Sequence, residues 1–230
     1  MTSRPLENEA ASGHPPGSPP ALKVEGLRLA DEAGHIHGPL NLAVRPGEMA
    51  LVVVRELATL RRLMKCCLAF ERPDFGRLSW WPDPGGRPDG GFFSRIGYVD
   101  RQSQLLHRWS LLDHFRLFEA YSGRPGDPGR ELLETLGLAA QAGLKTEDLP
   151  EPLRRLALYA LALHQRPRLM LLERPFQFLD LDFELVWGLI RGRAAAGEPA
   201  VVVFDRASDP YPPGSFHYTV DLPPPGSSSE

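Results

Sequence analysis

The sequence predicts an α/β fold, a sheet with a buried parallel part flanked by helices and an antiparallel β part at its N-terminal end. Three observations point there. The runs Met49–Val54, Leu169–Leu172 and Ala200–Phe204 are short and apolar at every position, the pattern of strands covered on both faces. Between them lie stretches with apolar residues at helical spacing, such as Leu111, Leu112, Phe115, Leu117, Phe118 and Tyr121. Ahead of them Leu22, Val24, Leu27 and Leu29 fall near alternation, as on a half-buried strand.

Composition sets the outer limits. With 230 residues, 42% apolar and 24% charged, the chain can bury a sizeable core in one domain. A formal charge of −3 gives no electrostatic footprint for nucleic acid. Cys66 and Cys67 are neighbours inside an apolar helical pattern, which suggests neither a disulfide framework nor a thiolate metal site. The longest apolar run, Leu156–Leu163, is too short to cross a bilayer, and the N-terminus carries no apolar signal core. A cytoplasmic location without direct membrane insertion is the expectation.

In chain order, residues 1–20 are rich in Pro, Gly, Ser and Glu and are expected to be a disordered tail. A first strand from Ala21 and a second at Leu40–Val44 follow. The turn Arg45-Pro-Gly-Glu48 leads into the apolar strand Met49–Val54. A loop and an amphipathic helix run to Lys65, whose Arg61 and Arg62 form either its polar face or a local structural contact. A strand at Leu78–Trp81, a Pro/Gly-rich loop at 82–91 and a strand at Arg95–Asp100 come next. Helices are expected over Leu105–Tyr121 and Arg130–Leu138. A third opens after Leu149-Pro-Glu-Pro-Leu153, where proline suits a helix's first turn. Strand 169–173, a helix over Leu181–Ala196 closed by Gly197, strand Ala200–Asp205 and a last strand Phe216–Asp221 complete the fold. Residues 223–230 are expected to be a second disordered tail.

The segment Arg168-Leu-Met-Leu-Leu-Glu-Arg-Pro-Phe-Gln-Phe-Leu-Asp180 resembles the Walker B and D-loop string LLLLDEPFSALD of ATP-binding cassette (ABC) ATPases. Further resemblances lie in order and at matching spacing over residues 21–222. Arg45-Pro-Gly-Glu48 and its strand precede the place of the family's GPSGSGKSTLL. Glu71-Arg-Pro-Asp-Phe-Gly76 resembles ERPDSG, and Arg95–Gln102 resembles RIGYVFQ. Leu149–Pro167 matches LSGGMRQRVALARALAHRP in length and apolar rhythm, and Ala200–Arg206 resembles VVVVTHD. The resemblance implies a P-loop NTPase-like ABC nucleotide-binding domain at 21–222, with a helical subdomain at about 103–165 inserted in it.

The resemblance also locates the chemistry, and each landmark is altered. Glycines and a lysine make the family's phosphate cradle; here Val54 and Thr59 stand at the first and last glycines, Leu60 at the lysine, and Arg61 and Arg62 at Ser-Thr. Arg101 takes the place of the Q-loop glutamine, with Gln102 one step late and expected on the opposite face. The signature's Ser and glycines are replaced by Pro150, Glu151 and Pro152, which remove two N–H donors and add negative charge where the family binds phosphate. Glu173 and Arg174 replace the Walker B Asp-Glu pair, Asp180 keeps the D-loop aspartate, and Asp205 replaces the switch histidine. No aromatic residue precedes Phe70 to stack an adenine, which leaves His35 or His37 for a weak contact.

Phosphoryl transfer depends on positioning and electrostatic stabilisation, so these losses lead to the expectation of a pseudo-ATPase that needs neither ATP nor Mg. The implied role is a scaffold or coupling module on an ABC-type transmembrane permease, peripheral on the inner face of the cell membrane, and paired with another cassette or itself. The alternatives are an active ATPase with unorthodox groups, which would need ATP and Mg, and a soluble regulatory protein of the same fold. The changed charges look complementary: Arg61 against Glu173, and Arg174 against Asp205, are expected to fill the site in place of metal and phosphate. Random drift is the competing account.

Overall fold

The computed structural model describes residues 18–81, 90–122, 128–179, 183–206 and 211–226. Strands β1 (Leu22–Ala30) and β2 (Ile36–Val44) pair antiparallel, and β4 (Phe75–Trp80) pairs antiparallel with the other edge of β1. The second sheet is wholly parallel, in the order β5 (Ile96–Val99), β6 (Leu169–Glu173), β7 (Ala200–Asp205), β3 (Met49–Val53) and β8 (Tyr218–Asp221). The mixed pairing expected from sequence is thus divided between two sheets.

Gly76 shows why the antiparallel sheet is tightly specified. Its φ is +81°, and a Cβ there would lie 2.4 Å from the Gly26 carbonyl oxygen. Only glycine allows that approach where β4 begins beside the irregularity in β1.

Every residue of β6 and β7 is buried. Because strand side chains alternate, one parity of each central strand joins one core and the other parity joins the second. Met49, Leu51, Met170, Leu172, Val201 and Val203 pack with the helices that follow β5 and β6. Ala50, Val52, Leu169, Leu171, Val202 and Phe204 pack with β1, β2 and helix α1 (Leu57–Cys67). That alternation decides where the charged strand ends point. Glu173 follows the parity of Leu171 toward α1, and Asp205 follows the parity of Val203 toward the opposite layer.

Between β4 and β5 lies the short helix α2 (Gly90–Phe93), preceded by residues outside the described set. Helices α3 (Leu111–Ser122), α4 (Pro128–Thr135) and α5 (Glu151–His164), with two single-turn 3-10 segments, connect β5 to β6. Helix α3 begins six residues later than expected, because Ser110 caps it: its hydroxyl accepts the Asp113 N–H at 3.1 Å and donates to Asp113 Oδ2 at 2.7 Å. A one-turn helix α6 (Phe176–Leu179), which the proline at 175 had obscured in sequence, follows β6 and leads toward α7 (Phe183–Ala195). The second strand is longer than its apolar run, starting at Ile36. Within the stretch expected to be a C-terminal tail, the Pro223 carbonyl accepts the Gly38 N–H at 3.0 Å, so the chain stays docked there past β8.

Candidate functional site

The parallel ladder brings β3, β7 and β6 side by side with Val53 opposite Asp205 and Phe204 opposite Glu173. Two further backbone bonds extend it, Val54 N–H to Asp205 O at 2.8 Å and Arg174 N–H to Phe204 O at 2.9 Å. Val54, Asp205, Glu173 and Arg174 therefore converge at the carboxyl edge of the sheet, where α/β folds place ligands.

Past Val54 the chain enters helix α1 almost at once. A cradle of the GxxxxGK type holds its ligand with a run of backbone between strand and helix. Here only Val54, Arg55 and Glu56 separate β3 from α1. Thr59 and Leu60, at the positions of the last glycine and the lysine, sit in the first turns of the helix, 4% and 0% exposed. The Leu60 N–H donates to Glu56 O at 2.9 Å and the Thr59 hydroxyl to Glu56 Oε2 at 2.8 Å, so these groups are spent on the helix itself. Leu60 packs in the core with Leu63 and Met64.

Arg61, one residue on, faces β6. Its Nε lies 3.7 Å from Glu173 Oε1, a carboxylate 2% exposed. Glu173 Oε2 accepts the Arg101 N–H at 3.3 Å. Arg174 Nε lies 3.6 Å from Asp205 Oδ1. Asp205 is further held by Tyr211, whose hydroxyl donates to Oδ2 at 2.6 Å, and by the Arg206 N–H at 2.6 Å to Oδ1. Both arginine–carboxylate pairs thus face each other, but not in the bidentate hydrogen-bonded contact expected of them. Their separations are those of ion pairs longer than a hydrogen bond, and Arg61 Nε, Glu173 Oε1 and Arg174 Nε are buried without hydrogen-bond partners. Arg174 has φ +46°, left-handed backbone that a non-glycine residue adopts at a cost of roughly 1–2 kcal/mol.

Arg62 turns away from this edge. Its guanidinium donates to Ala30 O and meets both Asp74 oxygens, Nη1–Oδ2 at 2.8 Å and Nη2–Oδ1 at 3.1 Å. Asp74 Oδ2 in turn accepts the Ala30 N–H at 2.8 Å. The hydrogen bond from Arg62 is the main reason Asp74 is held below the ordinary carboxylate range, and Asp74 raises Arg62 reciprocally. The choice between polar face and structural contact thus falls differently for the two arginines, with Arg62 clamping α1 to the antiparallel sheet.

At the Q-loop position the strand ends at Val99, and Arg101 and Gln102 lie exposed in a turn. Strand alternation does not extend to them, which corrects the expectation that Gln102 points to an opposite strand face. The backbone of Arg101, not its side chain, reaches Glu173. At the signature position Pro150 is the N-cap of α5, followed by Glu151 and Pro152. Glu151 binds Arg154 Nε at 3.0 Å and Arg155 Nε at 2.9 Å. Partial burial pushes the Glu151 carboxyl up, and these two arginine bonds outweigh it to leave a net lowering. Arg155 also donates to the carbonyls of Asp100 and Arg101 at 3.3 and 3.1 Å, tying the helix start to the end of β5. Asp180 lies outside the described residues.

Sequence reasoning passed over Tyr211. It is buried against Phe183, Trp187 and Phe216, with ring centroids 5.0–6.1 Å away, and both burial and the Asp205 charge push its hydroxyl up. The run Tyr211-Pro-Pro-Gly-Ser-Phe216 was the available signal, since two aromatics bracketing turn residues beside a buried strand end pack inward.

No protein-family model matches the chain. Among curated proteins it is similar to the cytochrome c biogenesis ATP-binding export protein CcmA of Nitrosococcus oceani, 26% identical over 189 residues, covering 82% of this chain and 87% of that protein. The protein of the same name from Cupriavidus necator is 24% identical over 165 residues, 71% and 73% of the two chains. Among solved structures, the ATP-binding subunit of an ABC transporter superposes with TM-score 0.71 at 17% identity over 80% of this chain and 79% of that one. The cbiO1 subunit of the Clostridium perfringens cbiONQ complex gives 0.69 at 17% identity over 89% and 85%. The fold is that of the ATP-binding cassette of ABC transporters, with its antiparallel β part and parallel sheet.

Proposed function

We propose that this chain is an ABC-type cassette subunit that docks on a transmembrane permease as a scaffold or coupling module and does not turn over ATP. The observation that carries this reading is the start of α1. Leu60, where a working cassette has its phosphate lysine, is fully buried, and the three residues between strand and helix leave too little free backbone to wrap a phosphate. The internal arginine–carboxylate pairs support it, because cationic groups already neutralise the carboxylates that would otherwise face a metal.

Docking is supported by a second surface. Thr146 N–H donates to Trp109 O at 2.9 Å and Leu112 N–H to Ala142 O at 3.1 Å, joining the approach to α3 to the turns before α5. On these joined segments Leu106, Trp109, Leu112 and Leu144 are 37–49% exposed. Apolar side chains gathered on one surface mark an interaction site, and similar chains named for export and import act in transport. Trp109 belongs to this surface, whereas Phe115 is 3% exposed. No helix among the described residues is long and apolar enough to cross a membrane, so attachment to a bilayer on this reading runs through the permease.

A ligand that does not bind the native state cannot stabilise it. Millimolar Mg-ATP is therefore expected to leave the melting temperature and the calorimetric baseline unchanged, while the chain co-purifies from membranes with a polytopic protein. A shift of several degrees with Mg-ATP would favour the active-ATPase alternative, and recovery wholly free of membrane proteins would favour the soluble regulatory one.

A further inference from the structure

The β1–β2 turn, the start of β2 and the N-cap of α1 gather three potential metal ligands. Asp31, His37 and Glu56 place one donor atom each within 4.8 Å of one another. His37 Nε2 lies 3.2 Å from Glu56 Oε2 and 3.6 Å from Asp31 Oδ2. The His37 side chain is 8% exposed, and its Nε2 is buried and hydrogen-bonded to neither carboxylate. Two carboxylates therefore converge on one buried, unpartnered imidazole nitrogen.

We propose that Asp31, His37 and Glu56 bind a divalent transition metal of the zinc type. Ligands about 2.0–2.2 Å from a tetrahedral ion stand about 3.4 Å from each other, and the His37–Glu56 and His37–Asp31 separations bracket that value. Two carboxylates cancel the ion's charge, and one imidazole selects zinc-like ions over Mg and Ca, which take oxygen. Neighbouring groups hold both carboxylates, Asp31 at its far oxygen and, through His35 Nδ1 at 3.1 Å, also at Oδ2, and Glu56 at the oxygen that meets His37. Asp31 Oδ1 accepts the Ala33 and His35 N–H groups at 2.9 and 2.8 Å, and Glu56 Oε2 accepts the Thr59 hydroxyl at 2.8 Å. A cavity of about 510 Å³, lined by these three residues with Arg55, Arg206 and Leu222, borders the cluster and leaves a coordination position open to water or an anion. None of the three ligands belongs to the Arg61–Glu173 or Arg174–Asp205 pair, although Val54 and Leu57 of the same strand-to-helix connection also line the cavity.

The test uses the full chain stripped with chelator and dialysed. Isothermal titration with zinc chloride is expected to show one ion per chain, unaffected by millimolar Mg. His37→Ala and Glu56→Gln are each expected to weaken binding at least tenfold, and His107→Ala to leave it unchanged. Glu56 is half exposed, so E56Q retains the fold even if the buried His37 variant loses it, and near-ultraviolet circular dichroism checks both. Cobalt substitution is expected to give visible bands of a nitrogen–oxygen site without thiolate charge transfer. Absence of zinc binding, binding indifferent to E56Q, or a thiolate signature from Cys66 and Cys67 would each overturn the assignment.

Discussion

Replacing Arg174 with glutamate would restore the residue that ABC cassettes carry, and the structure gives a reason for it to be destabilising. Arg174 Nε stands 3.6 Å from Asp205 Oδ1, with side chains 14% and 7% exposed. At that separation and an effective dielectric near 20, the attraction is about 5 kcal/mol before desolvation is counted. Two factors reduce the net loss. Desolvation of both ions already offsets much of the attraction in the native state, and Asp205 keeps its bonds from Tyr211 and Arg206 when Arg174 is removed. Arg174→Ala is then expected to cost about 1–3 kcal/mol. Arg174→Glu adds repulsion from Asp205 and from Glu173, its neighbour in sequence, for a total of about 2–4 kcal/mol. Urea unfolding followed by tryptophan fluorescence measures this as a lower midpoint at unchanged slope. The melting temperature should fall about 2–4 °C for each kcal/mol. A double-mutant cycle with Asp205→Asn should return a coupling of about 1–3 kcal/mol. If Arg174→Glu matches the parent within about 0.5 kcal/mol, or the coupling is nil, the pair does not hold the site together and drift is the better account of both substitutions.

Leu60→Lys, which restores the family's phosphate ligand, should cost about 3–5 kcal/mol, because a fully buried charge finds no partner among the core residues around it; parental stability in thermal unfolding would place position 60 outside the core. Arg62→Ala should cost about 1–2 kcal/mol, less than a fully buried charged bond since the clamp is about 30% exposed. The same clamp predicts a pH dependence. Asp74 is held below its ordinary value, so the unfolded chain takes up this proton first as pH falls. The stabilisation is full above about pH 5 and is lost as pH drops through the depressed folded value. Urea midpoints of parent and Arg62→Ala should therefore draw together as pH falls below the ordinary carboxylate range, and a gap that stays constant there would exclude the clamp.

The sheet was legible because its strands are written in the period that burial requires. The strands at 49–53, 169–173 and 200–205 fall within a residue of their apolar runs. The facing of Arg174 and Asp205 was legible as well, since adjacent parallel strands in register bring their last residues together, although the separation is that of an ion pair and not of a hydrogen bond. Less was legible wherever a residue's role depended on where a strand or helix stopped. Gln102 was placed by strand alternation, but β5 ends at Val99 and the backbone beyond it turns. Tyr211 lies past the last motif, and no periodicity reports its hydrogen bond to Asp205. The cluster of Asp31, His37 and Glu56 joins a hairpin turn to a helix start, a juxtaposition made only by the packing of the two sheets against α1.

The start of α1 shows how the residues at the cradle positions and the Arg61 ion pair are physically linked. Glycine permits the left-handed and extended turns that let backbone N–H groups close round an anion. Val54 and Thr59 are β-branched and resist those conformations. Without them the chain takes the local alternative that its side chains favour. Leu60, Leu63, Met64 and Cys67 fall at helical spacing and are all buried, so winding from Leu57 gains a full apolar face. Once Leu60 is fixed in the core, the helical period carries Arg61 round toward β6 and Arg62 toward β1 and Asp74. The first reaches Glu173 and the second clamps the antiparallel sheet. Counting along a resembling motif locates a position but not its conformation; here the conformation follows from the apolar face that Leu60, Leu63, Met64 and Cys67 give the helix.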